Sequence, residues 1–287
     1  MTKNMLAEID TDIVNTSEGT IRVLVHRTSS EYPWLILSPG QGDAAESLLL
    51  LFELIRDQPL NIAVFDPPGH GLSDDPRTDY SPKSQQVVWE SLLNHLHVER
   101  AFIGGYSYGA YSASMCSRAL EERIAGLVLI EGGYLTMTDK GETVDSETKS
   151  IIEWMRTFRY DSWDAARQAM KAQVLPWTSY DEAEFNASVV DQDGVIMLRT
   201  TEITITQMEQ ILGQYSTDVL EELTTPILLL HSTLPLEKAE MRKKGLGLFR
   251  DHAPHARIVP IPNCGHTIKE HLPFVVNQIL KFVAELN

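Results

Sequence analysis

Cysteine is nearly absent from this chain of 287 residues, which contains only Cys116 and Cys264. Two thiols so far apart in sequence make no disulfide framework, and no Cys-x-x-Cys pair offers a zinc site. Basic residues are also scarce: 24 Lys and Arg stand against 40 Asp and Glu, a formal net charge of −16. Such a chain is repelled by nucleic-acid phosphates and by anionic membrane surfaces, so neither is expected as a partner. Long hydrophobic runs are missing too. The most apolar stretch, Leu48-Leu49-Leu50-Leu51-Phe52, meets Glu53 at once and is far too short to span a bilayer. Residues 1–10 contain no apolar signal-peptide core. There is no internal repeat, no low-complexity tract and no His/Asp cluster with ligand spacing, so no metal and no cofactor is expected. The balance points to a soluble, cytoplasmic protein. Its length suits one large α/β domain, with or without an inserted lid. Oligomeric state is not readable.

What is present is an alternation. Residues 20–26 alternate polar and apolar side chains, as a half-exposed strand does. Residues 34–37, 60–65, 101–104, 124–130, 226–230 and 256–261 read as further strands, several of them continuously apolar and hence buried on both faces. Helical stretches fall between them, at 44–56, from Ser81-Pro82 to about 97, at 110–120, and again at the C-terminus. Strand and helix in turn imply right-handed crossovers and a mostly parallel sheet flanked by helices. The rhythm stops after Gly133 and resumes at Pro226. Between them, helical stretches at 149–158 and 163–173 stand out and no buried strand does. The expected organisation is a core of residues 1–133 and 223–287 with a helical cap over 134–222.

The strongest chemical signal is Gly105-Tyr106-Ser107-Tyr108-Gly109, a Gly-x-Ser-x-Gly turn between a strand and a helix. Small residues flank the serine because the chain reverses sharply there, which leaves Oγ exposed at the carboxyl edge of the sheet. Asp66-Pro67-Pro68-Gly69-His70-Gly71-Leu72-Ser73 is a second motif. On these two motifs the chain resembles the α/β-hydrolase family over nearly its whole length. The resemblance implies an eight-stranded-type sheet, Ser107 as nucleophile, and a structural role for the His70 turn.

A serine hydroxyl needs a base, and in this family the order along the chain is Ser, acid, His. Asn263-Cys264-Gly265-His266 follows the last strand and resembles the family's Gly-His loop, with the glycine aiming the imidazole back at the elbow. His266 is therefore the expected base. The acid departs from the common pattern. Where relatives commonly carry it, this chain reads His231-Ser232-Thr233-Leu234-Pro235-Leu236, and the nearest carboxylate is Glu237. The preceding strand ends Leu129-Ile130-Glu131-Gly132-Gly133. Some haloalkane dehalogenases, pancreatic-type lipases and zearalenone lactonases place the acid there. Glu131 is favoured, with Glu237 the alternative. The oxyanion hole is expected from the backbone N–H groups of Tyr108 and Gln41, the latter in Ser38-Pro39-Gly40-Gln41-Gly42-Asp43, where Pro39 replaces the usual histidine. Asp43 reads as a helix cap and Cys264 as a buried or partly exposed thiol rather than a second nucleophile.

The insertion is rich in Trp154, Met155, Phe158, Tyr160, Trp163, Met170, Trp177, Phe185, Met197, Met208 and Tyr215. Most should form its own core and a few should wall an apolar cleft. The expected activity is that of a serine hydrolase of the carboxylesterase or lactonase type, cleaving a small, largely apolar ester, lactone or thioester through an acyl-enzyme. The alternatives are carbon–carbon hydrolysis of dienoic keto-acids, for which no cationic pocket group can be placed from sequence, and a low-turnover ligand-binding protein of the same fold.

Overall fold

The computed structural model describes residues 8–174 and 176–287. The chain begins with a hairpin, β1 (Asp10–Thr16) and β2 (Gly19–His26), followed by β3 (Trp34–Ser38), helix α1 (Leu49–Ile55), β4 (Asn61–Phe65), α2 (Pro82–His95), β5 (Ala101–Tyr106), α3 (Tyr108–Ser117) and β6 (Ile124–Ile130). After a long excursion come β10 (Ile227–Ser232), α9 (Ala239–His252), β11 (Arg257–Ile261) and α10 (Leu272–Leu286). Together they make one eight-stranded sheet in the order β1-β2-β4-β3-β5-β6-β10-β11. Only β1–β2 and β2–β4 are antiparallel.

Burial alternates along the inner strands. Leu127 and Leu129 pack into a cluster with Trp89 and Phe249, and Val128 and Ile130 into one with Phe52 and Phe282 on the other face. Both faces of the sheet are covered, which explains the continuous apolar runs. From β3 the chain steps to β4 on one side and then to β5 on the other. The switch therefore falls between β3 and β5, where the crevice of an open α/β sheet lies beyond the carboxyl ends.

Strand β1 escaped the reading of the sequence. Its residues, Asp-Thr-Asp-Ile-Val-Asn-Thr, are mostly polar because it is an edge strand with one buried side chain, Val14. The excursion between β6 and β10 holds α4 (Met137–Lys140), α5 (Val144–Thr157), β7 (Arg159–Tyr160), α6 (Trp163–Lys171), α7 (Ser179–Ser188), β8 (Val189–Gln192), β9 (Val195–Leu198) and α8 (Glu202–Leu212). It is not purely helical. The short strands form a separate antiparallel sheet in the order β7-β9-β8, with Val189 and Ile196 packed on Phe158 and Phe185. Runs of two to four residues are too short to show a period in the sequence.

Candidate functional site

Ser107 caps the strand–helix turn with φ 51° and ψ −117°. A non-glycine residue at positive φ is strained and persists only where its surroundings hold it. Here its N–H donates to Ile130 O at 2.9 Å, and its carbonyl accepts from Ala110 N at 3.0 Å. The flanking glycines are steric necessities. A Cβ on Gly105 would lie 2.4 Å from Ser38 O, and one on Gly109 would lie 2.0 Å from the same oxygen.

His266 leaves the loop after β11 with Nε2 3.1 Å from Ser107 Oγ. Its carbonyl accepts from the Tyr106 hydroxyl at 2.8 Å, and the two rings lie 5.5 Å apart. Gly265 does not have the role expected of it. It has no positive φ, and a Cβ there would meet nothing within 4 Å. The unusual conformation belongs to Asn263, at φ 54°.

Glu131 stands one residue beyond β6, 8% exposed, at φ 48°. Its Oε1 is 3.6 Å from His266 Nδ1. That is an ion-pair separation rather than a hydrogen bond; such contacts are often loose before substrate binds. Ser232 holds the carboxylate from the neighbouring strand end: its Oγ donates to Oε1 at 2.7 Å and its N–H to Oε2. The sequence reading missed Ser232. No local signal marks it, since Ser232 reaches Glu131 only because β6 and β10 pair in parallel, with Ile130 opposite Leu230. Ser232 thus orients the Glu131 carboxylate from the end of the neighbouring strand. Glu237 lies exposed in the 3-10 turn Leu236–Lys238 and does not line the cavity, although Pro235 and Lys238 do.

Gln41 and Tyr108 lie on the two sides of the switch point. Among the described residues neither backbone N–H donates in a turn, loop or cap bond. The Pro39 carbonyl accepts from Gly109 N at 3.1 Å and so ties this loop to the elbow without the usual histidine. Asp43 is not the helix cap it was expected to be. The 3-10 turn Ala45–Leu48 has no side-chain cap from its own N-terminus. Asp66 serves instead, accepting from Ala45 N at 2.7 Å, Leu72 N at 2.8 Å and Arg22 Nε at 2.6 Å. The Asp66–Ser73 motif is thus a structural knot. His70 is fully buried within it, its Nδ1 2.9 Å from Pro68 O, and burial holds its basicity below the ordinary range.

Freed from capping, Asp43 sits beside Gly40, and burial pushes its carboxyl up to about 6, against the attraction of His266. A raised folded-state value means the charged form opposes folding. That penalty is absent below the unfolded value near 3.8, grows as pH rises, and is complete above about 6. Asp43→Asn should therefore raise the thermal midpoint most above pH 6, by roughly 2–4 °C for each kcal/mol of penalty removed. The gain should fade toward pH 4. A gain independent of pH in thermal scans would show that Asp43 is not buried as a charge.

Two cavities flank the Gln41 loop. The larger, about 360 Å3, holds Ser107, His266 and Glu131. Its walls are more charged than expected: Lys140, Lys238 and Arg242 line it together with Glu142, Glu147 and Glu209. The smaller, about 110 Å3, takes the apolar residues Trp154, Met155, Met170 and Phe185 from the insertion. Phe158, Tyr160 and Trp177 belong to the insertion's own core, and Met208 packs on Tyr80 and Tyr108. Cys264 is buried, with its thiol pushed up to about 11 by burial. Among the described residues no His, Cys, Asp and Glu group could hold a metal ion, and no helix is long and apolar enough to cross a membrane.

The sheet, its switch point and the strand–turn–helix elbow define a hydrolase class. The chain belongs to the alpha/beta hydrolase family, whose sequence pattern matches residues 27–278. It is 25% identical over 183 residues to a 2-hydroxy-6-oxononadienedioate/2-hydroxy-6-oxononatrienedioate hydrolase of Paraburkholderia phymatum, a match covering 56% of this chain and 62% of that one. The match thus spans less than two thirds of that relative's length. Its fold is similar to that of E-2-(acetamidomethylene)succinate hydrolase, with a TM-score of 0.77 at 16% identity over 96% of this chain and 99% of the other. It is also similar to the thioesterase domain from the curacin biosynthetic pathway, with a TM-score of 0.69 at 13% identity over 96% and 99%.

Proposed function

We propose that this protein is a serine hydrolase that cleaves a carboxylic ester, lactone or thioester of a small substrate through an acyl-enzyme. The observation that carries this reading is the 3.1 Å approach of His266 Nε2 to Ser107 Oγ, with the Glu131 carboxylate behind the imidazole. In this reading His266 takes the Ser107 proton as Oγ attacks the carbonyl carbon. The developing oxyanion accepts from the Gln41 and Tyr108 N–H groups, and His266 returns the proton to the leaving group. Water, deprotonated by the same imidazole, then releases the acid. Residues 1–133 and 223–287 form the catalytic core and 134–222 its cap. The acidic charge and two buried free thiols fit a cytoplasmic enzyme.

A fluorophosphonate probe tests the nucleophile. Labelling should fall on Ser107 and disappear in Ser107→Ala. Folded protein that takes no label would favour a ligand-binding role instead. A second reading has its own support. Lys140, Lys238 and Arg242 line the cavity and are the cationic groups that carbon–carbon hydrolysis of an anionic keto-acid needs, and the relative from Paraburkholderia bears the name of such an enzyme. Parallel assays on simple esters and on dienoic keto-acids separate the two. Faster turnover of the keto-acids by about a hundredfold or more would give the second reading precedence.

A further inference from the structure

Tyr106, the last residue of β5, has no part in the steps above and lines neither cavity. It stands immediately before the nucleophile, and β5 is held between β3 and β6, so its backbone is fixed. Its ring packs against the cluster around Phe52 and reaches the Gln41 loop, where a Cβ on Gly40 would lie 3.5 Å from two of its carbons. The same ring lies 5.5 Å from the imidazole of His266, inclined at 31°, and its hydroxyl donates to His266 O at 2.8 Å. The His266 loop has little else to hold it. The imidazole side chain is 62% exposed, so packing restrains it weakly. The chain is pinned before it, where Cys264 O accepts from Thr233 N at 2.9 Å and Leu234 N at 2.8 Å, and after it, where Lys269 pairs with Asp181 of the insertion. The Gly265 and Thr267 carbonyls face the Cys264 thiol of the same loop. Among the described residues, the backbone of residues 265–267 makes one hydrogen bond to another segment, the one it accepts from Tyr106.

We infer that Tyr106 is a positioning residue for His266: its hydroxyl, carried by the same elbow that carries Ser107, holds the His266 carbonyl and thereby sets the approach of Nε2 to Oγ. This rests on the hydrolase reading given above. Proton transfer needs the two atoms within about 2.6–3.2 Å, and the 3.1 Å found here leaves little slack. Glu131 does not fix the ring by itself, since its Oε1 stands 3.6 Å from Nδ1. Without the Tyr106 hydroxyl, rotation within residues 265–267 lets the exposed imidazole drift from Ser107, and a drift of about 1 Å can cost about a hundredfold in rate. Burial, and after it the Asp43 and Glu131 charges, push the Tyr106 hydroxyl above its ordinary range, so it keeps its proton wherever His266 is a base. Attack and deacylation both use the imidazole. A displaced His266 therefore slows the two steps together, which lowers kcat and leaves KM nearly unchanged.

Tyr106→Phe tests this, because it keeps the ring and its packing and removes only the donor. On 4-nitrophenyl acetate its kcat should fall by about tenfold or more, with KM within about twofold of wild type and the thermal midpoint close to it. On phenyl acetate the loss should be severalfold greater. Nitrophenolate departs with little help, whereas phenolate depends on the proton that a well-placed His266 delivers. Fluorophosphonate labelling of Ser107, which needs the same base, should slow by about tenfold as well, and this readout does not depend on the choice of ester. Wild-type turnover and labelling rate in Tyr106→Phe overturn the proposal. So does a loss that is equal on the two esters, or one accompanied by a raised KM or a lowered midpoint, since the hydroxyl would then serve the fold alone. Folded wild type that takes no label on Ser107 sinks the hydrolase reading, and the role of Tyr106 with it.

Discussion

Glu131→Gln is expected to lower kcat/KM by about a thousandfold or more while leaving the fold and the thermal midpoint nearly unchanged. The reason is a forced change of tautomer. In the native site both carboxylate oxygens accept, Oε2 from Ser232 N–H and Oε1 from Ser232 Oγ, and Oε1 faces His266 Nδ1. The Ser232 N–H can only donate, so the single oxygen of glutamine must take the Oε2 position. Its NH2 group then faces Ser232 Oγ and His266 Nδ1. The hydroxyl can turn to accept. The imidazole must accept at Nδ1 as well, which places its proton on Nε2, facing Ser107. An imidazole holding a proton there cannot take one from Oγ. The same substitution keeps the volume and every buried hydrogen bond, so stability should change by about 1 kcal/mol or less. Steady-state kinetics and a melting curve on one preparation settle the point. Near-normal turnover would move the acid elsewhere, and Glu237, exposed and outside the cavity lining, would be a poor second choice. Loss of both fold and activity would instead show that Glu131 serves the strand end at φ 48°.

Much of this site could be read from the chain because a few local rules govern it. A strand must turn into a helix within one residue at Ser107, and only glycine two positions away on each side permits that. The parallel core strands are buried on both faces, so they announce themselves as apolar runs. What stayed hidden depends on contacts between distant segments. The Glu131 carboxylate is oriented by Ser232, a serine like any other until β10 is laid beside β6. The helix expected to be capped by Asp43 is capped by Asp66, 21 residues beyond the Ala45 N–H it accepts from. Nothing local in the Gly40–Asp43 stretch distinguishes the two. Gly265 looked like a hinge because glycine is so often one, yet the loop bends at Asn263. Edge strand β1 and the strands of the insertion are too polar or too short to carry a period. The charges of the larger cavity were legible as residues but not as neighbours: Lys140 and Glu209 come from one excursion, Lys238 and Arg242 from the chain after β10.

Gly109→Ala is the smallest change expected to damage fold and site together. The added carbon would lie 2.0 Å from Ser38 O, 2.6 Å from Ser38 C and 2.8 Å from Pro39 O. All three are backbone atoms at the end of β3, where no rotamer can give way. Helix α3 must move off the sheet, and the Gly109 N–H to Pro39 O bond of 3.1 Å must lengthen. That bond fixes the spacing between the two segments that carry the Tyr108 and Gln41 N–H groups. Overpacking of this kind costs about 1–3 kcal/mol or more, which lowers the midpoint by roughly 2–4 °C per kcal/mol. The effect on turnover should be larger than stability alone predicts, because a shift of about 1 Å in a positioned group can cost about a hundredfold in rate. Folded Gly109→Ala should thus lose about a hundredfold in kcat/KM, with slower fluorophosphonate labelling of Ser107. Gly265→Ala is the contrasting case. It stands next to His266 in sequence but meets nothing within 4 Å, and it should leave both midpoint and labelling rate close to wild type. A harmless Gly109→Ala would mean that α3 and the Gln41 loop do not depend on each other, and the oxyanion donors would have to be sought elsewhere.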